Sequence, residues 1–250
     1  MKKLLFLMGV SILFFTSCIP NPEENPDPFI PPTAALLRKT VDTYDNGDVI
    51  TSLYNYNGNK IVSIITDFDE ENLFFTYSGD LITKLEFKDV DGVVTEFNNY
   101  EYDDTHRLVT FKRIDPTNDL GDKETYVYNT DGTITVTYFS GDATTQNLVS
   151  GTGTISFANG EVSNITSDSG TYSYTYDNKS NPLKNVTGWS KIAFTDGEAD
   201  AVLHNITSQI REDGGSSPVT FTYTYTYSND FPVTGRTDDN DGNYNTAYFY

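Results

Sequence analysis

Phe221 to Tyr227 reads F-T-Y-T-Y-T-Y, and no stretch constrains the fold more. In a strand successive side chains point to opposite faces. Phe221, Tyr223, Tyr225 and Tyr227 therefore share one face, and Thr222, Thr224 and Thr226 share the other. Both residue types favour extended backbone because bulk near Cβ suits the pleat, whereas a helix would scatter the rings around its circumference. The aromatic face is expected to pack into a core. The competing reading is an exposed aromatic platform, which makes Tyr223, Tyr225 and Tyr227 candidate ligand contacts.

The same unit recurs along the chain: aromatic-x-aromatic, a polar turn, then an apolar strand. Copies begin at Tyr54-x-Tyr56, Phe75-x-Tyr77, Tyr100-x-Tyr102, Tyr126-x-Tyr128 and Tyr225-x-Tyr227, with weaker ones at Ile155-x-Phe157 and Tyr174-x-Tyr176. Asn46-Gly47, Asn57-Gly58, Ser78-Gly79, Asp91-Gly92, Asp131-Gly132, Asn159-Gly160, Asp196-Gly197 and Asp241-Gly242 read as hairpin turns between them, since these residues accept positive φ. Strands are expected at Leu81–Phe87, Arg107–Ile114, Thr133–Tyr138 and Tyr172–Tyr176. Leu81, Thr83, Leu85 and Phe87 are expected to oppose Ile82, Lys84 and Glu86. Phe97 runs out of phase with Tyr100 and Tyr102, which predicts a bulge between them. Ala34–Lys39 allows one helical turn. The pattern predicts one all-β domain over residues 38–250, an antiparallel up-and-down meander of hairpins closed or nearly closed into a barrel. An open curved sheet or two-sheet sandwich is the alternative. Closure removes two aggregation-prone edges.

The amino terminus carries an address. Lys2 and Lys3 precede the apolar run Leu4–Phe15, too short for a permanent membrane span, so residues 1–17 read as an export signal. Cys18 is the only cysteine, and six of the ten prolines fall between Ile19 and Pro32. Proline there excludes a sheet interior and favours an extended tether over residues 18–37. Leu13-Phe14-Phe15-Thr16-Ser17-Cys18 resembles a bacterial lipoprotein box, which implies cleavage before Cys18, a diacylglycerol on its sulfur and attachment to the outer membrane. Tyr100-Glu-Tyr102-Asp103-Asp-Thr-His-Arg107-Leu108 and Tyr174-Thr-Tyr176-Asp177 resemble the tyrosine–aspartate repeat of Rhs-type bacterial wall proteins. The whole layout is similar to a Bacteroides family of lipoproteins described as porin-like, which implies a barrel and brings no catalytic residues.

The formal net charge is −20, and loss of Lys2 and Lys3 with the signal makes it two units more negative. So acidic a surface repels phosphate backbones and excludes nucleic acid as a partner. His106 and His204, the two histidines, are read as structural. No nucleophile elbow, phosphate loop or paired-histidine motif occurs, and no cofactor is expected. Asp238–Asn243 resembles a calcium loop, but Thr237 and Tyr248 stand where its carboxylates belong, so no metal is expected. Trp189, the only tryptophan, is a core residue or a platform for a sugar ring. The Thr-rich faces lack the lipid-facing apolar band of a membrane pore. The expected protein is a monomeric, non-enzymatic envelope lipoprotein that binds a glycan or other extracellular ligand. Contact with another envelope protein is the first alternative and a glycan-directed hydrolase the second.

Cys18→Ser is expected to leave the protein unprocessed or soluble. Detergent phase partitioning checks this, and partitioning equal to wild type would contradict lipidation.

Overall fold

The computed structural model describes residues 35–67, 71–213, 217–238 and 243–250. Residues 1–17, Cys18 and the proline-rich segment to residue 34 lie outside them, as does Asp241-Gly242. The described chain forms sixteen antiparallel strands in a closed barrel. The first eight are β1 (Lys39–Tyr44), β2 (Val49–Asn57), β3 (Lys60–Thr66), β4 (Asn72–Ser78), β5 (Leu81–Lys88), β6 (Val94–Tyr102), β7 (Leu108–Asp115) and β8 (Leu120–Tyr128). The others are β9 (Ile134–Gly141), β10 (Gln146–Ala158), β11 (Glu161–Ser167), β12 (Gly170–Ser180), β13 (His204–Asp213), β14 (Val219–Ser228), β15 (Phe231–Asp238) and β16 (Tyr244–Phe249). Each strand pairs with its sequence neighbours, and β1 pairs with β16 from Lys39↔Phe249 to Tyr44↔Tyr244. Among the described residues helix is confined to one 3-10 turn, Trp189–Lys191. The described part of Ala34–Lys39 is not helical; Ala35, Leu36 and Leu37 are buried as the chain enters β1.

A barrel of this many strands encloses more space than wall side chains usually fill, and porins of this size keep an aqueous channel. Here the long aromatic side chains point inward. Phe75, Tyr100, Phe111, Tyr126 and Tyr174 join Ile82, Leu85, Val136, Ile155 and Ile165 in one buried cluster. The outer wall is polar. On β14 every threonine is exposed and every aromatic half-buried. Cross-strand threonine pairs follow the outside, such as Thr226 with Thr234 at 2.6 Å and Thr175 with Thr207 at 2.9 Å. Outer phenylalanines lie under lysines: Lys84 over Phe97, Lys88 over Phe74 and Lys123 over Phe139. Their aliphatic stems cover the rings while the ammonium groups stay in water.

The repeat has a definite geometry. The register slips by one residue between Asn55/Tyr56, Thr76/Tyr77, Glu101/Tyr102, Ser156/Phe157 and Thr226/Tyr227. Each slip sets the second aromatic opposite an aliphatic residue: Ile61, Ile82, Leu108, Val162 and Pro232. All five are buried, and full burial of such a side chain contributes about 1.5–3 kcal/mol. The bulge also adds twist, which helps a sheet curl.

Two expected alternations are corrected by these slips. Leu85 and Phe87 do face in, but Ile82 joins them as the buried partner of Tyr77, because Thr83 is the bulged residue. Phe97 does not bulge away from Tyr100; pairing with β7 runs unbroken from Phe97↔Ile114 to Glu101↔Thr110, and Phe97 sits on the outer face. The bulge of that hairpin comes later, opposite Tyr102. Gly47, Gly58, Gly79, Gly92, Gly132 and Gly160 do sit in hairpin connections with positive φ. Asp196-Gly197 does not; it lies in the long connection between β12 and β13.

Tyrosine hydroxyls join one hairpin to the next. The β5–β6 pairing ends at Lys84↔Asn99, and beyond it Tyr102 donates to the Ile82 carbonyl at 2.7 Å. The β7–β8 pairing ends at Thr110↔Thr125, and Tyr128 donates to the Leu108 carbonyl at 3.1 Å. Tyr176 reaches the Val162 carbonyl at 2.8 Å, and Tyr225 reaches that of Ile206 at 3.1 Å. Asp103, following Tyr102, fastens the adjoining turn by accepting from Thr105 and Arg107 backbone amides at 2.9 and 3.0 Å. His106 occupies that turn with φ 62.

Tyr102→Phe keeps the ring and leaves the Ile82 carbonyl without its donor. A loss of about 1–2 kcal/mol in a urea melt is expected, and no loss would show that water replaces the hydroxyl.

Candidate functional site

The connection Asn181–Leu203 does not leave the barrel. Asn181 and Leu183, on the β12 side, are fixed by a local turn, and Asn185 Nδ2 donates to the Ala35 carbonyl at 2.8 Å. Thr187 N–H bonds the Asn59 carbonyl at 2.9 Å, and Tyr77 hydroxyl bonds the Thr187 carbonyl at 3.2 Å. Gly188 has φ 82 and lies so close to Asp80 that a Cβ would sit 2.8 Å from its carbonyl oxygen, so a side chain is excluded there. Phe194 then packs edge-on against Tyr126 and Phe157, at 5.5 and 6.2 Å between ring centres. Asp196 forks onto Arg113 at 2.8 and 2.7 Å, and Arg113 also holds Asp122 at 2.6 Å. Ala199 N–H bonds the Tyr174 hydroxyl at 3.0 Å. Buried Glu161 ends the excursion, accepting from Leu203 and His204 amides at 2.7 Å each. His204 Nδ1 lies 3.4 Å from the same carboxylate, a structural placement. The loop thus touches β7, β8, β11 and β12 and the β2–β3 and β4–β5 turns.

Glu124 on β8 is a latch for this loop. Its buried carboxylate accepts from the Asp196 amide at 3.2 Å and from the Tyr126 hydroxyl. Burial pushes its carboxyl up to about 7, opposed by the Tyr126 bond and reinforced by the charge of Asp196. An acidic mouth of about 540 Å³ adjoins it, lined by Asp122, Tyr138, Asp168, Tyr172, Asp196 and Glu198.

Between the loop and the arc of β13, β14, β16, β1 and β2 lies a second cavity of about 340 Å³. Its aromatic surfaces are Trp189, Tyr54, Tyr223, Tyr225 and Tyr248, and its polar groups are Thr40, Asn181, Asn205, Gln209, Glu198 and Asp200. Trp189, Tyr223 and Tyr225 therefore converge as the candidate ligand residues. Tyr227 does not join them: its hydroxyl is bonded to Asp177, which also fixes Asn205 through its amide at 3.1 Å. Tyr225 is both wall and cavity; its ring lies 3.2 Å from where a Cβ on Gly235 would sit, so this glycine leaves the ring room against the wall. Trp189 is half-buried and its indole Nε1 has no partner among the described residues.

The carboxylates were not singled out in the sequence. Asp200 lines the cavity, its backbone amide bonds the Ala193 carbonyl at 2.8 Å, and its carboxylate has no hydrogen-bond or ionic partner among the described residues. Desolvation inside the barrel, then the charge of Glu198, pushes its carboxyl up to about 6. Asp200 is open to solvent on the side that lines the cavity, while the protein packed around it desolvates its carboxyl. No lysine or arginine among the described residues lines this cavity. Among the described residues no three His, Cys, Asp or Glu side chains converge as metal ligands, and no helix is long and apolar enough to cross a membrane.

No protein-family model matches the chain, and no curated protein matches it. Its fold is similar to that of a porin-like protein from Bacteroides vulgatus, with TM-score 0.56 and 11% identity over 86% of this chain and 98% of that one. A porin-like protein from Bacteroides uniformis gives TM-score 0.51 and 15% identity over 87% and 97%. At such identities the likeness establishes a shared porin-like barrel and nothing finer.

Raised carboxyls bind more protons folded than unfolded, so their contribution to stability falls as pH rises from the unfolded pKa to the folded one. For Asp200 that window runs from 3.8 to about 6, and for Glu124 from 4.5 to about 7. Asp200→Asn is expected to flatten the fall in melting temperature across the lower window. An unchanged pH–stability slope would contradict the raised carboxyl.

Proposed function

We propose that this is a non-enzymatic envelope lipoprotein, anchored to the outer membrane through Cys18, that acts as a monomer and binds a small saccharide inside its barrel. The observation that carries the reading is the meeting of Trp189, Tyr223 and Tyr225 with Asn205, Gln209 and Asp200 around one cavity. Aromatic faces stack on the C–H faces of a sugar ring, and amides and carboxylates take its hydroxyls. About 340 Å³ is near the lower end for small-molecule sites and suits one or two sugar rings better than a polymer.

The porin-like likeness supports an envelope setting, and the polar outer wall argues for water around the barrel instead of lipid. A membrane barrel carries a continuous apolar band outside; here the largest apolar cluster is inside, and outer phenylalanines such as Phe74, Phe97 and Phe139 lie under lysines among exposed threonines. A hydrolytic role is the weaker reading, because Glu124, the carboxyl held near 7, is engaged by Tyr126 and the Asp196 amide. An assembly surface is also weaker: the exposed apolar side chains are spread over the wall and loops, at Leu53, Val127, Leu148 and Phe249.

Trp189 is the only tryptophan, so its fluorescence reports on this cavity alone. Titration with a panel of mono- and disaccharides is expected to give a saturable change, and Tyr223→Ala is expected to weaken binding about three- to tenfold. Absence of any saturable change, with calorimetry equally silent, would overturn the reading.

A further inference from the structure

The lumenal cavity holds negative charge that the protein itself does not neutralise. Asp200 and Glu198 are the charged side chains that line it among the described residues, with no lysine or arginine beside them. Several other carboxylates have a cation beside them, Asp196 and Asp122 at Arg113, Asp45 at Arg236 and Asp230 at Lys179, and Glu124 and Asp177 have hydrogen-bond donors. An unpaired carboxylate in a confined apolar space is costly to keep. Here it shares a cavity with the rings of Trp189, Tyr54, Tyr223, Tyr225 and Tyr248 and with the uncharged polar groups of Thr40, Asn181, Asn205 and Gln209.

Aromatic faces and a carboxylate together fit one kind of guest. Ring quadrupoles attract a cation, tryptophan most strongly, and the attraction grows when the cation is desolvated. A carboxylate supplies the charge-assisted hydrogen bond that an ammonium group donates into. A hard divalent metal is a poor fit, since it takes six or more oxygens and this cavity offers two carboxylates. The formal charge of −20 favours the approach of a cation, and the mouth lined by Asp122, Asp168, Asp196 and Glu198 against Arg113 and Lys123 keeps an excess of carboxylates. Glu198 lines both spaces, so the carboxylates continue from the mouth into the cavity.

We infer that the cavity is selective for ligands bearing a protonated amine and that, resting on the saccharide reading above, its ligand is an amino sugar with Asp200 as the partner of the ammonium group. The aromatic faces hold the ring, and Asn205 and Gln209 take hydroxyls. Neutral sugars enter the same space but leave Asp200 without its counter-ion.

The test is calorimetry, with Trp189 fluorescence in parallel, on the protein at pH 7. The probes are glucosamine, N-acetylglucosamine, which has the same ring without the charge, and choline, a cation without the ring. Glucosamine is expected to bind about tenfold or more tightly than N-acetylglucosamine, the size of one charge-assisted contact. Asp200→Asn is expected to weaken glucosamine about tenfold more than it weakens N-acetylglucosamine, so that the preference is lost, and its melting curve confirms that it folds. The groups facing Asp200 are Glu198 on the same loop, Tyr100 from β6 and Tyr176 from β12. Neither phenol titrates near neutrality, so the preference is expected to fade as pH falls through about 6, where Asp200 gains a proton. Equal binding of both sugars would overturn the amine inference and leave the saccharide reading standing. Binding of glucosamine and choline without any neutral sugar would keep the selectivity for cations and overturn the saccharide reading together with the amino-sugar assignment. Silence from all three probes would overturn both.

Discussion

The fold depends on what happens where neighbouring hairpins part. A backbone carbonyl inside a protein needs a donor, and at Ile82, Leu108, Val162 and Ile206 the strand ladder has already stopped. Tyr102, Tyr128, Tyr176 and Tyr225 supply the donor from the next strand. Phenylalanine would fill the same volume but leave the carbonyl bare. The repeated tyrosine therefore does two things at once: its ring fills a lumen too wide for shorter side chains, and its hydroxyl joins adjacent hairpins.

This also accounts for the chemistry of the two faces. A barrel whose interior is aromatic can turn threonine and lysine outward. Its sixteen strands match a porin in number while reversing the usual distribution of polarity. The interior is still not filled by the wall alone. The segment 181–203 occupies it, fastened by Arg113, Glu124, Tyr174 and Glu161. Candidate recognition chemistry then arises at the join between wall and loop: Tyr223 and Tyr225 come from a strand, Trp189 and Asp200 from the loop.

Most of the architecture was legible because the hairpins announce themselves by aromatic alternation, and several, such as those turning at Asn57-Gly58, Ser78-Gly79 and Asp131-Gly132, also by a turn dipeptide. Phe221–Tyr227 appears in the fold with the faces its period requires. Bulges were less legible. A one-residue slip at Thr83 changes which face Ile82 occupies, and it is set by the partner strand rather than by local sequence. The inward loop was hidden for a similar reason. Asn181-Pro182 and Asp196-Gly197 are residues of a surface turn, and only the contacts of Asp196 with Arg113 and Glu124 turn them inward. Trp189 and Tyr225 were each recognisable as aromatics of interest, but their meeting depends on that loop. Asp200 could not be distinguished from the other acidic residues of a strongly acidic chain, because its character comes from what does not lie beside it.

The pairing of β1 with β16 has a consequence for how the protein is made. The meander grows by adding each hairpin to the last, so most contacts form between segments close in sequence. The exception among the strand pairings is the seam from Lys39↔Phe249 to Tyr44↔Tyr244, which joins the first strand to the last and cannot form until β16 has been made. Until then the growing sheet has two raw edges, the hazard that closure removes, and its aromatic face has no enclosed lumen to fill. The same seam places the first and last strands side by side. The ring consequently has no privileged starting point: joining those ends by a short linker and reopening the chain at an exposed turn such as Asn129–Thr133 would preserve every strand pairing while changing which seam closes last.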